Sequence, residues 1–584
     1  MRKATPSQPA RPGSARPGSA RPGSARPGRR SPLVALLIVI VAALTIGPVI
    51  MLIVGSLSKG IGAIGEFTTA KYVAAYSDPA LGKTLLNTAI FTLGTACFST
   101  ILGGLLAYLS VRTDIPFKGL FRVLPIIPMM IPHVLFAAAW ITLLNPTNGM
   151  INVFLRNVFG FSRGPLNIYS LGGMIFLEGM LDLPVTYLVI SPAMYSFATV
   201  LEEASRVSGA SNLYTLRRIT LPILKPAFLA TFTLAIIRSL AAFAVPSMVG
   251  MPGRVHVLTT HVYRIISVGW APDYGKAAAI GLIVLAASIV LVYLYRYLIA
   301  ESSQYVTVTG KGYRPAIVAL GRARRPAFVL CLALFCFLVV IPLITLVYMS
   351  FLPYSMVPSA RAFSMMSLRN WRTVLGNSVM IRALKNSTFL AVIGATCGIT
   401  LSVFIAYVIV KVKSRGSAII ESLSFLSFSF PGMIIGVGFM WFLVRTPLYA
   451  TIWGLLVAYV GTYLPYGVRP LRSAFMQIDE ELEESARVFG ASFLRALKDI
   501  VVPLLAPGVV SAWILMACMF IRELSVSVVL SRPGTEVLTV EIMKLANDGL
   551  WGQVAALGII MIGLSTTLVV IANALRAPLS HVDQ

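Results

Sequence analysis

The sequence predicts an all-α polytopic membrane protein with about 12 transmembrane helices, arranged as two parallel repeats of six. Of its 584 residues 57% are hydrophobic and only 12% are charged, and the mean hydropathy is +0.84. A soluble chain carries about twice that charged fraction. Apolar runs of about 20 residues recur along the chain, and a helix of that length crosses the hydrocarbon core of a bilayer.

The first 32 residues form a basic tail that contains "RPGSARPGSARPGSARPGRR", with eight basic residues and no acidic one. A segment of this composition buries too little apolar surface to fold, so we expect a disordered cytoplasmic tail. The apolar run that follows, from residue 33 to about 57, is too long for the core of a signal peptide. It predicts an uncleaved first span.

Apolar runs predict six spans in each half of the chain. The predicted spans are 33–56, 85–111, 121–144, 171–193, 227–250, 275–299, 327–351, 385–410, 419–444, 451–471, 508–531 and 553–576. The predicted domains are the tail at 1–32, a first membrane domain at 33–300, a cytoplasmic linker at 301–326 and a second membrane domain at 327–584.

The distribution of basic residues predicts that both termini lie in the cytoplasm. With the N-terminus inside, the cytoplasmic segments hold 30 Lys and Arg residues and the outer loops hold 14. Such an excess is typical of cytoplasmic loops. It also accounts for the net charge of +27 without a nucleic-acid partner.

The two halves repeat each other in sequence. "LLNTAIFTLGTACFSTILGGLLAYLSV" matches "LKNSTFLAVIGATCGITLSVFIAYVIV" at an offset of 299, which aligns Asn87 with Asn386. Pro184 aligns with Pro465 at an offset of 281, so the first half carries about 18 extra residues in the outer loop between these points. Because each half has six predicted spans, the copies share one orientation.

A polar segment between spans is also duplicated. "LEEASRVSGASNLYTLRRITLPILKP" (residues 201–226) and "LEESARVFGASFLRALKDIVVPLLAP" (482–507) are identical at 14 of 26 positions. Each predicts a short helix with carboxylates near its N-terminus, where the helix dipole favours them, and a glycine that permits the turn ending it. The predicted topology places both segments in the cytoplasm.

This pattern resembles the EAA motif in the permease subunits of bacterial binding-protein-dependent ABC importers. The resemblance implies two type I permease halves, two copies of a separate ABC ATPase at the cytoplasmic face and an extracytoplasmic solute-binding protein. It assigns the ATPase-coupling role to Glu202, Glu203, Ala204, Gly209, Ala210, Ile219, Pro222, Glu483, Glu484, Ala486, Gly490, Ala491, Ile500 and Pro503.

Within that family the chain is most similar to fused ferric iron permeases of the bacterial inner membrane. "IRELSVSVVL" (521–530) and "PDYGKAAAIGL" (272–282) resemble phrases of that subfamily. The sequence departs from it at "LAAFAVPSMVG" (240–250), which lacks an acidic residue and a glycine before "VP". Ferric iron is the expected cargo, with thiamine, aminoethylphosphonate or a polyamine as alternatives.

The chain itself is predicted not to be an enzyme and to bind no cofactor. "GKT" at 82–84 lacks the first glycine of a phosphate-binding loop, since residue 77 is serine, so ATP and Mg would be used by the partner ATPase. The five cysteines lie in apolar runs without a CxxC pair, which predicts buried thiols and no disulfide framework. Whether any residue binds a metal is left open.

Charged residues within spans are costly and are candidates for the substrate path. Glu178 and Asp182 are four residues apart, hence on one helix face, and Arg238 in the next span is a possible partner. A structural ion pair is an equally good interpretation. The full set of candidates is Glu178, Asp182, Arg238, His133, Arg522 and Glu523.

An ion-coupled secondary transporter is the alternative from a different class, because such proteins can also have two parallel six-helix repeats. That alternative accounts for Glu178 and Asp182. It offers no reason for two copies of the cytoplasmic motif.

Overall fold

The computed structural model shows a bundle in which the two sequence repeats fold alike. It describes residues 32–61, 65–123, 128–129, 131–196, 200–267, 272–303, 317–412, 414–478 and 502–576. These residues form helices with two isolated β-bridges and no strand, which confirms the all-α class. Tail residues 1–31 and linker residues 304–316 lie outside the described part.

The first half contains twelve α-helices within the described residues. They are α1 Pro32–Leu57, α2 Ala70–Tyr76, α3 Pro79–Arg112, α4 Lys118–Val123, α5 His133–Leu144, α6 Met150–Phe159, α7 Leu171–Ser196, α8 Val200–Val207, α9 Asn212–Thr215, α10 Leu221–Ala241, α11 Leu258–Ser267 and α12 Tyr274–Ser303. A π-helical turn, Leu216–Thr220, joins α9 to α10, and a second, Pro246–Gly250, follows α10.

The second half contains thirteen α-helices in its described part. They are α13 Arg324–Phe335, α14 Ile341–Ser350, α15 Ala360–Ser364, α16 Arg369–Gly376, α17 Ser378–Phe389, α18 Ala395–Tyr407, α19 Arg415–Leu426, α20 Gly432–Leu443, α21 Ile452–Met476, α22 Val502–Arg522, α23 Ser525–Leu530, α24 Leu538–Asn547 and α25 Trp551–Arg576. The π-helical turns Cys336–Val340 and Leu390–Gly394 make α13–α14 and α17–α18 continuous, and a third, Val408–Val412, extends α18.

Nine helical segments of the described chain are long and apolar enough to cross a membrane, judged by length and composition. The 25-residue helix α21 corresponds to a tenth predicted span. The predicted spans 121–144 and 419–444 are each broken in two, as α4 with α5 and α19 with α20. Their prolines predict a bend, but the structure shows complete breaks, with Pro132 and Pro431 capping the second pieces.

Equivalent helices begin and end at the offsets that the sequence repeat predicts. α5 and α20 coincide at an offset of 299, and α10 and α22 coincide at 281. The extra residues of the first half form α6, between α5 and α7. Asn152 of α6 secures this insertion, because its amide group donates hydrogen bonds to the carbonyls of Leu144 and Leu166, at 3.1 and 2.7 Å.

The aligned asparagines play the same structural part in both halves. Asn87 of α3 donates a hydrogen bond to the carbonyl of His256, at 3.2 Å. Asn386 of α17 donates one to the carbonyl of Glu536, at 2.9 Å. Each bond holds the segment that leads into α11 or α24, so the repeat extends to individual side-chain contacts.

The first helix of each half packs against the other half. α1 lies on α19, α20 and α21, and Gly55 of α1 faces the Trp441 ring of α20. In return α14 lies on α5, and Phe337, in the π-helical turn just before α14, stacks on Trp140 of α5 with ring centroids 5.6 Å apart. The two repeats therefore form one interlocked body.

The prediction that all five cysteines are buried is wrong. Cys331 is buried and Cys336 and Cys518 are half-buried, but Cys97 and Cys397 are exposed on the outside of the bundle. An apolar run shows that a segment can lie in lipid, and it does not show which face meets the lipid. All five are free thiols.

Candidate functional site

A cavity of about 250 Å³ lies between the two halves, where the broken helices meet. Residues 241–244, which begin at the last residue of α10, and residues 522–525, which begin at the last residue of α22, line it at the repeat offset of 281. The starts of α5 and α20 also reach it. Both halves thus supply the same backbone elements to this cavity but different side chains.

Five of the six predicted substrate-path residues line this cavity, and the sixth lies directly behind it. The lining residues are His133, Glu178, Arg238, Arg522 and Glu523, and the residue behind is Asp182. α5, α7, α10 and α22 are far apart in the sequence, so their convergence at this cavity could not be predicted from it. A role for these residues in binding cargo stays a prediction.

The two carboxyl groups of α7 differ in their partners. Asp182 forms an ion pair with the guanidinium Nε of Arg238, and the Ser99 hydroxyl donates to Asp182 at 3.4 Å. Glu178 is buried and faces the cavity, with no hydrogen bond or ion pair to the described part of the chain. Arg238 therefore neutralises one carboxylate and leaves the other available.

Arg522 connects the two halves across the cavity. Its Nη1 donates to the carbonyl of Met129, and its Nη2 lies 3.2 Å from Nε2 of His133. Both partners belong to the first half. No carboxylate of the described residues pairs with this guanidinium, so its charge is not compensated by an ion pair.

Glu523 is held by contacts within the second half. Its carboxylate accepts a hydrogen bond from the Tyr463 hydroxyl and another from the amide of Val526, at 2.6 Å. Its backbone carbonyl accepts from the Thr539 hydroxyl at 2.5 Å. Glu523 thus fixes the break between α22 and α23.

The first copy of the motif begins with α8, and its two glutamates have different surroundings. Glu202 is buried, paired with the guanidinium of Arg112 at the end of α3, and accepts a hydrogen bond from the Thr220 hydroxyl at 2.6 Å. Glu203 and Ala204 are exposed. The motif therefore has one glutamate that anchors α8 to two other helices and one that is open to a partner.

The rest of the first copy matches the predicted sequence of turns. Gly209 has a φ of +84°, the left-handed conformation that glycine adopts without strain, and ends the α8 segment. Ala210 and Ile219 are half-buried, and Pro222 is exposed in the first turn of α10. The segment thus leaves the membrane, turns at Gly209 and re-enters at α10.

Most of the second copy lies outside the described residues. Pro503 lies in the first turn of α22, as Pro222 does in α10. The motif residues without a structural description are Glu483, Glu484, Ala486, Gly490, Ala491 and Ile500. Their role stays a prediction.

Sequence reasoning missed Arg112 and Thr220, which hold Glu202. One signal was available for Arg112, because the repeat aligns it with Lys411 at the offset of 299. A basic residue at the predicted cytoplasmic end of the same span in both halves, on the side of the predicted acidic motif, indicates an ion pair. Thr220 had no comparable signal.

A two-fold repeated helical bundle with a shared central cavity and a motif segment at one end of the spans is the architecture of a solute permease. The chain belongs to the family "Binding-protein-dependent transport system inner membrane component", whose model matches residues 99–301 and 398–580. It is therefore a fused, two-unit permease of an ABC importer. This membership excludes the alternative that the chain is an ion-coupled secondary transporter. The exact domain limits at 33–300 and 327–584 stay predictions.

Similar proteins carry names that specify different cargoes. The chain is 28% identical to the "Ferric transport system permease protein FbpB" of Actinobacillus pleuropneumoniae, over 82% of this chain and 69% of that protein. A putative ferric transport system permease of Haemophilus influenzae is also 28% identical, over 73% of this chain and 66% of that protein. The chain thus spans about two thirds of the length of these relatives.

A shorter relative matches only one half of the chain. The spermidine/putrescine transport system permease PotC of Haemophilus influenzae is 29% identical over 41% of this chain and 93% of that protein. A single-unit permease is therefore similar over nearly its whole length to less than half of this chain.

Proposed function

We propose that the chain forms both membrane halves of an importer that moves ferric iron, delivered by an extracytoplasmic binding protein, into the bacterial cytoplasm. The observation that carries the proposal is the similarity to a ferric transport permease over 82% of the chain. The chain would lie in the cytoplasmic membrane with both termini inside, as the excess of basic residues in the predicted cytoplasmic segments supports.

In this proposal two copies of a separate ABC ATPase dock on α8 and on its second copy at residues 482–507. ATP and Mg are used by those subunits, and this chain binds no cofactor. The geometry of α8 supports docking because Glu203 and Ala204 are exposed while Glu202 is tied to Arg112 and Thr220. Movement of α8 would then be passed to the ends of α3 and α10.

A polyamine is the second candidate cargo. The similarity to PotC favours it, and so does the cavity, whose wall contains both Glu178 and the aromatic residues Tyr463 and Tyr466. A carboxylate and aromatic faces are groups that bind organic ammonium ions. Thiamine and aminoethylphosphonate remain alternatives that rest on the sequence resemblance.

Uptake in proteoliposomes distinguishes these cargoes. The chain would be reconstituted with its ATPase and its binding protein, and ATP-dependent uptake of radioactive ferric iron and of radioactive spermidine would be compared. We expect iron to accumulate and spermidine to stay outside. Spermidine uptake without iron uptake would contradict the ferric assignment and leave the importer class intact.

A further inference from the structure

The charges in the central cavity are not evenly compensated. Of its two arginines, Arg238 is paired with Asp182, whereas the partners of Arg522 in the described part of the chain are the Met129 carbonyl and the His133 ring, and neither is a carboxylate. The carboxylate of Glu523 is occupied by hydrogen bonds from Tyr463 and an amide group. Among the described residues, the cavity wall therefore offers one guanidinium without a carboxylate partner, that of Arg522, and one carboxyl group without a hydrogen bond or ion pair, that of Glu178.

The helix ends around the cavity contribute charge of both signs. α5 and α20 begin at the cavity, and the N-terminus of a helix attracts anions. α10 and α22 end there, with Arg238 and Arg522 in their last turns. Because the C-terminus of a helix favours cations, each arginine stabilises the end of its own helix. Arg522 nevertheless lines the cavity, so its guanidinium can contact cargo as well.

A second cavity, of about 500 Å³, lies farther along α19 and α21, two helices that also contribute to the region of the central cavity. Phe428, just after α19, and Tyr466 of α21 line the central cavity, and about one turn away along each segment Phe425 and Arg469 line the second. The Arg469 guanidinium lies 5.0 Å from the centroid of the Phe425 ring and 5.1 Å from that of Phe428. Arg469 thus stands where the two cavities adjoin.

The second cavity is strongly basic. We call it the basic vestibule, defined by Arg296, Arg469 and Arg472. Its lining contains one carboxylate, Glu421, which forms an ion pair with Arg472. Two of its three guanidiniums therefore have no carboxylate partner in the described part of the chain, which is the charge balance of a site for anions.

We propose that the cargo crosses with an anionic group, a carboxylate, phosphate or phosphonate, which Arg522 binds in the central cavity and the basic vestibule receives next. Glu178 then faces the positive part of the cargo. If the cargo is ferric iron, the ion crosses together with an anionic ligand and not as a bare cation. This inference rests on the proposed function as an importer, and it concerns the charge of what is imported.

Double-label uptake tests the inference. The complete transporter, with ATPase and binding protein, would be reconstituted in proteoliposomes and supplied with radioactive ferric iron together with radioactive citrate or phosphate. We expect both labels to enter in a constant ratio and only with ATP. Iron entering while both anions stay outside would overturn the inference and leave the ferric importer standing.

Other outcomes separate the two proposals. ATP-dependent uptake of aminoethylphosphonate without iron would contradict the ferric assignment and support an anionic cargo. Spermidine uptake with no uptake of iron or anion would contradict both. If Arg469→Gln removes a dependence of uptake on anionic lipid and leaves its dependence on the cargo anion unchanged, the vestibule binds lipid headgroups and its part in the path is overturned.

Variants of Arg522 distinguish cargo binding from a purely structural role. We expect Arg522→Gln to reduce double-label uptake at least tenfold, Arg522→Lys to retain part of it, and the anion concentration for half-maximal uptake to rise in both. Arg163→Gln is the matched control, because Arg163 is exposed in the loop between α6 and α7. Equal loss in both Arg522 variants, with no change in the anion dependence, would mean that Arg522 only ties the halves together.

Discussion

At the scale of single residues, the two motif glutamates differ in burial, since Glu202 is buried and Glu203 is exposed. Glu202 and Arg112 are 90 residues apart in sequence and both are buried. A buried charge is stable only when it is paired and hydrogen-bonded, and Glu202 has both a guanidinium and the Thr220 hydroxyl. The pair therefore makes the position of α8 depend on α3 and on the start of α10.

We expect single and double replacements of this pair to differ in stability. Glu202→Gln or Arg112→Met leaves one buried charge without its partner and should lower the free energy of unfolding by about 3–5 kcal/mol. The double variant removes both charges and should recover most of that loss. Thermal unfolding of the purified chain measures the effect, and additive losses in the double variant would contradict the pairing.

A charged group at the opposite end of α3 predicts a pH dependence. Asp78 caps α3 and accepts a hydrogen bond from the Lys276 ammonium, at 2.9 Å. Burial acts to raise the pKa of Asp78, but the hydrogen bonds from Lys276 and the amide of Ala80 and the positive charge of Lys276 prevail and lower it.

Because folding lowers the pKa of Asp78, its contribution to stability is present at neutral pH and is lost as the pH falls below about 4, its unfolded-state value. We expect the difference in unfolding temperature between the native chain and Asp78→Asn to shrink as the pH is lowered from about 6 to about 3. A difference that stays constant over this range would show that Asp78 acts only as a helix cap.

At the scale of elements, the turn at Gly209 should decide whether α8 can dock. An alanine or aspartate at a φ of +84° costs about 1–2 kcal/mol, and about 1.4 kcal/mol corresponds to a tenfold change in affinity. We expect Gly209→Asp to reduce co-purification of the ATPase about tenfold. Gly160→Asp is the matched control, because Gly160 has a φ of +71° in the loop after α6. If Gly209→Asp leaves the recovery of the ATPase unchanged, α8 is not part of the docking surface.

The repeat could be predicted from sequence, because matching residues are a local signal. The helix limits could not be predicted as well, because α10 and α22 begin six residues before and end nine residues before the predicted spans 227–250 and 508–531. The prolines before α5 and α20 predict a bend in each span and not a break, since prolines show where hydrogen bonds are lost and not how neighbouring helices replace them. The clustering of Arg522 with His133 could not be predicted, because it depends on how the two halves pack.

At the scale of the whole molecule, the interlocked first helices make the two halves depend on each other. A Cβ atom on Gly55 would lie 2.4 Å from the Trp441 ring, which is closer than packed atoms allow. We expect Gly55→Val to lower the free energy of unfolding by about 1–3 kcal/mol through overpacking between the halves.

Gly82→Val is the control for this substitution, since nothing lies within 4 Å of a Cβ atom at Gly82. Thermal unfolding of the two purified variants gives the comparison. Equal shifts in the unfolding temperature would show that the contact between α1 and α20 contributes nothing specific to the stability of the chain.

We propose that this chain moves cargo only when an ATPase and a binding protein work with it. Uptake of ferric iron into proteoliposomes would be measured with each of the three components, and ATP, left out in turn. We expect uptake only with the complete set, and its loss when Gly209→Asp is combined with Gly490→Asp. Uptake driven by an ion gradient, without ATP or the added proteins, would contradict it.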